Sequence, residues 1–384
     1  MKGNAFTNNV LYRIRLRKGC KRKEKKKNSG SCSGHSKKLS SKSKDTIFQS
    51  NLQTKTARIP VIMHEPEKIL LTTRNLSIGY AAAQPLFSDL TLSLLTGELV
   101  CFMGPNGIGK STLIKTLAGL QQPLQGTITI GSSSTETEKK LSVVLTDRIT
   151  ATNMTVKELV SYGRYPYMNW SAKLTEQDEE AMEQAIALTR IHQLVDKQIG
   201  QLSDGQMQMV MIARALAQQT PLLLLDEPTA HLDLNNRVEI MNLLRELAHT
   251  TGKGILIATH ELDLALQTAD RIWLTGKEQN LLTGIPEDLV LDGSFDEIFR
   301  FKGFDLKTGK VFQKPWRGVS IKVEGGGYEL LWTKNALERN GFIVDDHADY
   351  RIEIISDSRQ VNWLFKNKSY ATLYDLLYSL SQLT

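Results

Sequence analysis

The sequence predicts an α/β fold, a buried parallel sheet presenting a phosphate-binding loop, followed by a small α+β domain. Three observations carry this expectation. The apolar runs Leu99–Met103, Leu222–Leu225 and Gly254–Thr259 are nearly uninterrupted, as strands covered on both faces are. Apolar residues at helical spacing follow the first run (Leu113, Ile114, Leu117, Leu120) and the second (Ile240, Leu243, Leu244, Leu247). Between the first run and its helix lies Gly104-Pro105-Asn106-Gly107-Ile108-Gly109-Lys110-Ser111, the pattern G-x-x-x-x-G-K-[ST] in its strand, loop and helix context.

Size and charge bound the reading. At 384 residues the chain exceeds the roughly 250 to 300 at which single cores divide. Its formal charge is +7, but residues 1–62 hold 17 Lys and Arg against 2 Asp and Glu, a net of +15, so the remainder carries −8. The basic stretch, rich in Ser and Lys and poor in apolar residues, predicts a disordered tail, since it cannot bury enough surface to offset its ordering entropy. It reads as a solvated segment or as an arm for anionic lipid or nucleic acid. Met63 stands just before Lys68-Ile69-Leu70-Leu71, the first strand-like run, and reads as an alternative start. No apolar segment of signal-peptide type follows the charges, and no run approaches the ~20 apolar residues that cross a bilayer. Cys20, Cys32 and Cys101 form no metal-ligand spacing, and Cys101 reads as a packed core residue.

The chemistry concentrates at strand ends. Glycines let the amides of the 104–109 loop (Gly104, Pro105, Asn106, Gly107, Gly109) turn inward around phosphates, and the helix N-terminus adds a favourable field. Lys110 would reach the β- and γ-phosphates, Ser111 would ligate Mg2+, and Thr112 would approach the α-phosphate. The run at Leu222 ends in Asp226-Glu227, which reads as an acidic pair at the C-terminal end of a central parallel strand, where open α/β sheets place ligands. Asp226 would hold Mg2+ through water and Glu227 would polarise the water that attacks the γ-phosphate.

Leu202-Ser203-Asp204-Gly205-Gln206 lies between the two halves of this site and resembles the signature of ABC-transporter ATPases. The resemblance covers about Lys68 to Asp292, with motifs in unbroken order. It implies a P-loop NTPase core of the ABC type over residues 63–300, with an inserted helical subdomain at about 147–215. It also implies a paired ATPase in which Ser203 and the neighbouring Gly205 and Gln206 grip the γ-phosphate of ATP held by a second copy. Asp233, in Ala230-His231-Leu232-Asp233, matches the family's D-loop position, which communicates across the dimer. His260, after Ala258-Thr259, resembles the switch histidine that contacts the γ-phosphate. Tyr80 occupies the place where the family stacks an aromatic on adenine, the other reading being an edge-strand Tyr packed on a neighbour.

Two positions depart from the family pattern. Asp204 stands where the signature usually has Gly; an Asp there can cap the helix, but it adds repulsion near a partner's triphosphate. The family's Q-loop Gln is absent. Aligning back from Thr155-Val156-Lys157-Glu158-Leu159-Val160 puts Thr146 at that position, with Asp147 beside it, so Thr146 or Asp147 is expected to assume the metal-sensing role.

The run Thr155 to Pro166, containing Tyr162-Gly163-Arg164-Tyr165, resembles the ATPase subunits of bacterial importers for iron-siderophore, haem and cobalamin solutes. This implies transmembrane permease partners, a substrate-binding protein engaged indirectly, and residence on the cytoplasmic face of the bacterial inner membrane. Ordinary subdomain packing by Tyr162, Tyr165, Tyr167 and Trp170 is the plainer reading. No nucleic-acid partner is expected. The rival functions are a non-transport ABC ATPase acting on nucleic acid or as an assembly scaffold, and a purely structural ATP-binding subunit.

Beyond Phe301 the resemblance fades. Residues 301–384 predict a compact α+β unit: strands at Trp316–Val323, Tyr350–Ile355 and Val361–Lys366, a helix at Tyr328–Arg339, and a final helix with Leu373, Leu376, Leu377 and Leu380 on one stripe. It reads as a domain that packs on the ATPase core or its twin, or as a regulatory ligand site.

Overall fold

The computed structural model describes residues 68–81, 83–131, 139–146, 153–168, 173–276, 281–357 and 360–383. The expectations for residues 1–62, Asp147 and Trp170 lie outside them.

The chain opens with β1 (Ile69–Ile78), β2 (Phe87–Leu90), β3 (Ser93–Leu95), β4 (Leu99–Met103), α1 (Lys110–Leu117), β5 (Gln125–Ile130) and β6 (Leu141–Val144). Helices α2 (Val156–Ser161), α3 (Glu176–Thr189) and α4 (Asp204–Ala217) follow. Next come β7 (Leu222–Asp226), α5 (Leu234–Thr251), β8 (Gly254–Ala258), α6 (Leu262–Thr268), β9 (Arg271–Thr275), β10 (Leu281–Gly284), α7 (Pro286–Leu291) and α8 (Ser294–Phe299). The C-terminal part holds β11 (Phe304–Asp305), β12 (Lys310–Val311), β13 (Ser320–Glu324), α9 (Gly327–Arg339), β14 (Ile343–Val344), β15 (Tyr350–Ser356), β16 (Val361–Phe365), β17 (Lys368–Tyr370) and α10 (Leu373–Leu380).

The three apolar runs are neighbours in one six-stranded sheet of order β10-β9-β4-β8-β7-β6, parallel except for β10. Every residue of β4, β7 and β8 is buried, and alternate residues enter different cores. Leu99, Cys101, Met103, Leu223, Leu225, Ile255 and Ile257 face the core shared with the helices. Val100, Phe102, Leu222, Leu224 and Leu256 face a second core closed by an antiparallel sheet of β1, β2, β3 and β5. The period-2 side-chain alternation of a strand, apolar on both faces up to Asp226 at the end of β7, is what requires a layer on each side. β7, expected as central, lies one place from the sheet edge, with β6 outside it. Cys101 is fully buried, and burial pushes its thiol up to about 12.

α1 ends at Leu117, so Leu120 lies past the helix and is exposed. The C-terminal sheet, ordered β14-β13-β15-β16-β17, has its own core of Ile321, Val323, Leu337, Phe342, Ile352, Trp363, Phe365, Leu376 and Leu380. The expected strand at Trp316 begins only at Ser320. Upstream, Gly318 turns the backbone left-handed at φ 64°, and the Trp316 and Arg317 amides both donate to the Gly341 carbonyl instead of to a ladder. Sequence periodicity did not anticipate the short pieces β11, β12, β14 and β17, of two or three residues each. Among the described residues no helix is long and apolar enough to cross a membrane.

Candidate functional site

The loop 104–111 joins β4 to α1 at the C-terminal end of the parallel strands. Gly107 and Gly109 take positive φ of 77° and 113°, conformations that a side chain would strain. A Cβ on Gly104 would lie 2.6 Å from the Thr275 carbonyl oxygen, so β9 presses directly on the loop backbone. Lys110 is buried. Its Nζ donates to the carbonyls of Gly104 (3.0 Å) and Pro105 (3.4 Å) and lies 3.9 Å from Glu227 Oε1. Burial lowers the ammonium below the usual lysine range, while the Glu227 and Asp226 carboxylates pull the other way. Thr112 is buried on α1, 3.2 Å through its hydroxyl from the Tyr80 phenol. Tyr80 is 80% exposed, which leaves its ring as an open platform and removes the reading of a packed edge-strand side chain.

Asp226, the last residue of β7, is buried and its carboxylate is shared. Ser111 Oγ donates to Oδ1 at 3.0 Å, and Thr146 Oγ1 donates to Oδ2 at 3.1 Å. Residues from α1, the end of β6 and the end of β7 thus converge on one carboxylate. Two hydroxyls and a carboxylate are hard oxygen donors, a set that fits Mg2+, which keeps several waters and takes phosphate oxygens as further ligands. Among the described residues there is no group of three or more His, Cys, Asp and Glu that could cage a metal unaided.

Glu227 sits where β7 breaks, at a positive φ of 50°. Its amide donates to the Ala258 carbonyl at 2.8 Å, anchoring the turn to β8. Its Oε2 lies 2.5 Å from His260 Nδ1, which requires the imidazole proton on that nitrogen for the carboxylate to accept it. His260 therefore contacts Glu227 directly, an arrangement its place in the sequence did not reveal.

Glu261, the next residue, accepts two bonds of 2.9 Å from Arg237 Nη1, and Arg237 Nε donates to the Leu232 carbonyl at 2.7 Å. His260 Nε2 lies 3.8 Å from Glu261 Oε1, without a hydrogen bond, so polar groups line up from Glu227 past His260, Glu261 and Arg237 to the backbone beside Asp233. Arg237 and Glu261 were missed from sequence. Arg237 is one helical turn past Asp233, but a surface arginine on a helix carries no signal of a partner 24 residues away.

Ser203 is the N-cap of α4: its hydroxyl accepts from the Gln206 amide, and the Gln206 side chain accepts in return from the Ser203 amide, each at 3.3 Å. The cap is therefore Ser203, and Asp204 is the first helical residue, exposed. A Cβ on Gly205 would lie 2.7 Å from Cγ of Asn236. Asn236 in turn bonds both oxygens of Asp233, the N-cap of α5, at 2.9 Å each. Asp233 is thus tied to the signature within one chain. The first turn of α4 borders a cavity of about 290 Å3 that Thr146, Asp204, Glu227 and His231 also line. Among the described residues, no hydrogen bond joins Ser203, Gly205 or Gln206 to the loop 104–111.

A phosphate loop, a strand-end acidic pair and a capped signature helix on one parallel sheet define a nucleotide-binding cassette. The chain matches the ABC transporter family over residues 87–230 and the iron ABC transporter C-terminal domain over residues 318–381. It is similar to a probable siderophore transport system ATP-binding protein of Bacillus subtilis, 34% identical over 71% of this chain and 98% of that one. The achromobactin transport ATP-binding protein of Dickeya dadantii is 37% identical over 60% of this chain and 87% of its own length. Among solved structures, an inward-facing ABC transporter of metal-chelate type aligns with TM-score 0.55 and 30% identity over 61% of this chain and 90% of that chain. The chain belongs to the ATP-binding proteins of ABC transporters, ATPases coupled to import.

Proposed function

We propose that this chain binds and hydrolyses ATP to energise uptake of an iron-siderophore or a related chelate such as haem or cobalamin. The carrying observation is the convergence of Ser111 and Thr146 on Asp226 at the end of β7, with Glu227 beside it 3.9 Å from Lys110. In this reading the loop amides from Gly104 to Gly109 and Lys110 hold the phosphates, Thr112 stands near the α-phosphate, and Tyr80 stacks on adenine. Ser111, Asp226 and Thr146 would hold Mg2+, which would neutralise phosphate charge. Glu227 orients the attacking water and takes up its proton as the bond from the γ-phosphorus to the bridging oxygen breaks, giving ADP and phosphate. His260 keeps the Glu227 carboxylate aimed and lies within reach of the γ-phosphate.

Two copies sandwich two ATPs, each between the loop of one and Ser203, Gly205 and Gln206 of the other, with Asp233 at the shared boundary. ATP then favours the closed pair by contacts that the open pair lacks. Permease subunits carry the motion, a substrate-binding protein delivers the solute, and the chain works at the cytoplasmic face of the inner membrane. The core spans residues 63–300 and the appendix 301–384. The siderophore reading is supported by the names of the relatives and by the match of residues 318–381.

Single-turnover hydrolysis by Glu227→Gln tests the catalytic half: ATP binding is retained and turnover falls at least about 100-fold. Equal rates in the two proteins would overturn the role of Glu227. Uptake of 55Fe-siderophore by cells lacking this chain, restored by wild type and not by Lys110→Ala, tests the transport half.

A further inference from the structure

The most buried ion pair that the nucleotide chemistry does not use is Arg164–Asp178, with side chains 5% and 4% exposed and Nε to Oδ1 at 2.8 Å. Taking two charges out of water is costly, and replacing such a pair by well-packed apolar residues is often neutral or stabilising. Arg164 lies in a 3-10 turn, Tyr162–Tyr167, that shows Tyr162, Tyr165 and Tyr167 to solvent while hiding Gly163 and Arg164 beneath.

The hydrogen bonds that Arg164 and Tyr167 make run to the C-terminal end of α4 and to α3. Arg164 Nη1 donates to the Ala217 carbonyl at 2.8 Å and to Gln219 Oε1 at 3.1 Å. Its guanidinium lies 4.0 Å from the centre of the Tyr167 ring, whose hydroxyl donates to the Gln218 carbonyl at 3.0 Å. A Cβ on Gly163 would lie 2.1 Å from the Arg214 carbonyl oxygen, so the turn touches α4 backbone to backbone. Asp178 is itself fixed by the amide and hydroxyl of Thr175 at the start of α3. The carbonyls engaged belong to the last turn of α4 and its cap, at the negative end of the helix. The other end of α4 is capped by Ser203. With 14 residues, α4 spans roughly 20 Å.

We propose that Arg164 is a positioning residue that bolts the exposed tyrosine turn to the signature helix, so that turn, α3 and α4 move as one body and a displacement at Ser203 reappears at Tyr165. This rests on the ATP-driven switch proposed above and adds the connection that carries its motion to the surface.

The test is a pair of spin-label distances measured from one reference site, Thr283→Cys on the edge strand β10. One runs to Gln208→Cys on α4 and the other to Tyr165→Cys on the turn. Cys20 and Cys32 are replaced by Ser; Cys101 stays, since its buried thiol does not react. The labelled chain carries Glu227→Gln and is diluted into unlabelled chain. Mg-ATP is expected to change both distances together in the parent. In Arg164→Lys, which keeps the charge but not the forked contacts, the change at 165 is expected to fall below about half of that at 208. Tyr167→Phe, which removes only the bond to Gln218, is expected to give a smaller loss and guards against misfolding of the first variant. ATP affinity stays within about twofold throughout. Distances that still track one another in Arg164→Lys, or an α4 that moves in the parent while the turn does not, would overturn the proposal. A parent in which bound ATP moves neither site would overturn it too, and a parent that binds no ATP would overturn the proposed function itself.

Discussion

Thr146 donates its hydroxyl to Asp226 Oδ2 at 3.1 Å, on the carboxylate oxygen that Ser111 leaves free. The long amide expected at that position is replaced by a short hydroxyl, yet the shorter group still reaches the acidic residue at the end of β7. The Asp226 backbone carbonyl, 3.3 Å from the same hydroxyl, shares its single proton with Oδ2.

Removing that hydroxyl at constant shape isolates it. Thr146→Val is expected to raise the Mg2+ concentration for half-maximal ATPase at least about tenfold, since a hydrogen bond to a charged group is worth roughly 1.5–3 kcal/mol. Thr146→Ser should stay near wild type. A Mg2+ titration of ATPase that is unchanged in Thr146→Val would remove the residue from the site.

Gly205 is constrained by packing as well as by any ligand. Gly205→Ala is expected to push Asn236 off Asp233 and lower ATPase severalfold. The double variant Gly205→Ala with Asn236→Ala opens the space and should recover part of the loss. No recovery would mean that the glycine is needed for close approach of the facing nucleotide, independently of Asn236.

Asp204 places a negative charge in the first turn of α4, beside the cavity it shares with Glu227. Asp204→Gly is expected to favour the closed pair, lowering the ATP needed for half-maximal dimerisation of Glu227→Gln about two- to fivefold, in line with a charge effect of ~0.3–1 kcal/mol. Size-exclusion profiles across an ATP series would show it, and a tight Glu227→Gln dimer at low ATP with Asp204 in place would contradict it.

Lys253 precedes β8, and its ammonium donates to the Thr220 carbonyl. Burial lowers it from 10.5 to about 8. A lysine whose folded pKa lies below its unfolded one is the weaker proton binder when folded. The unfolded chain therefore holds more protons between the two values, and this residue's contribution rises with pH across that window. Relative to Lys253→Met, wild type is expected to gain stability between about pH 8 and pH 10.5, with a slope up to about 1.4 kcal/mol per pH unit. Denaturant midpoints of both proteins at pH 7.5 and 10 measure it, and parallel midpoints would refute it.

How much could be read without coordinates follows from the range of each interaction. The strands β4, β7 and β8 and the loop 104–111 depend on residues within a few positions of one another, so spacing alone revealed them, whereas the cap of α4 proved to be Ser203 and not Asp204. The strand expected from Trp316 begins four residues later, at Ser320, because the Trp316 and Arg317 amides pair with Gly341, across a helix and a turn. The sequence by itself determined the fold class, the nucleotide loop, the acidic strand end and the family, since each is a local pattern with a local physical cause. Only the tertiary structure decided that Thr146 and Ser111 share Asp226, that His260 holds Glu227, that Asn236 fills the space over Gly205, and that Arg164 fastens a surface turn to the signature helix. Those contacts span from 31 to 115 positions along the chain, and a buried polar group acquires its partner only when packing brings the distant one within reach.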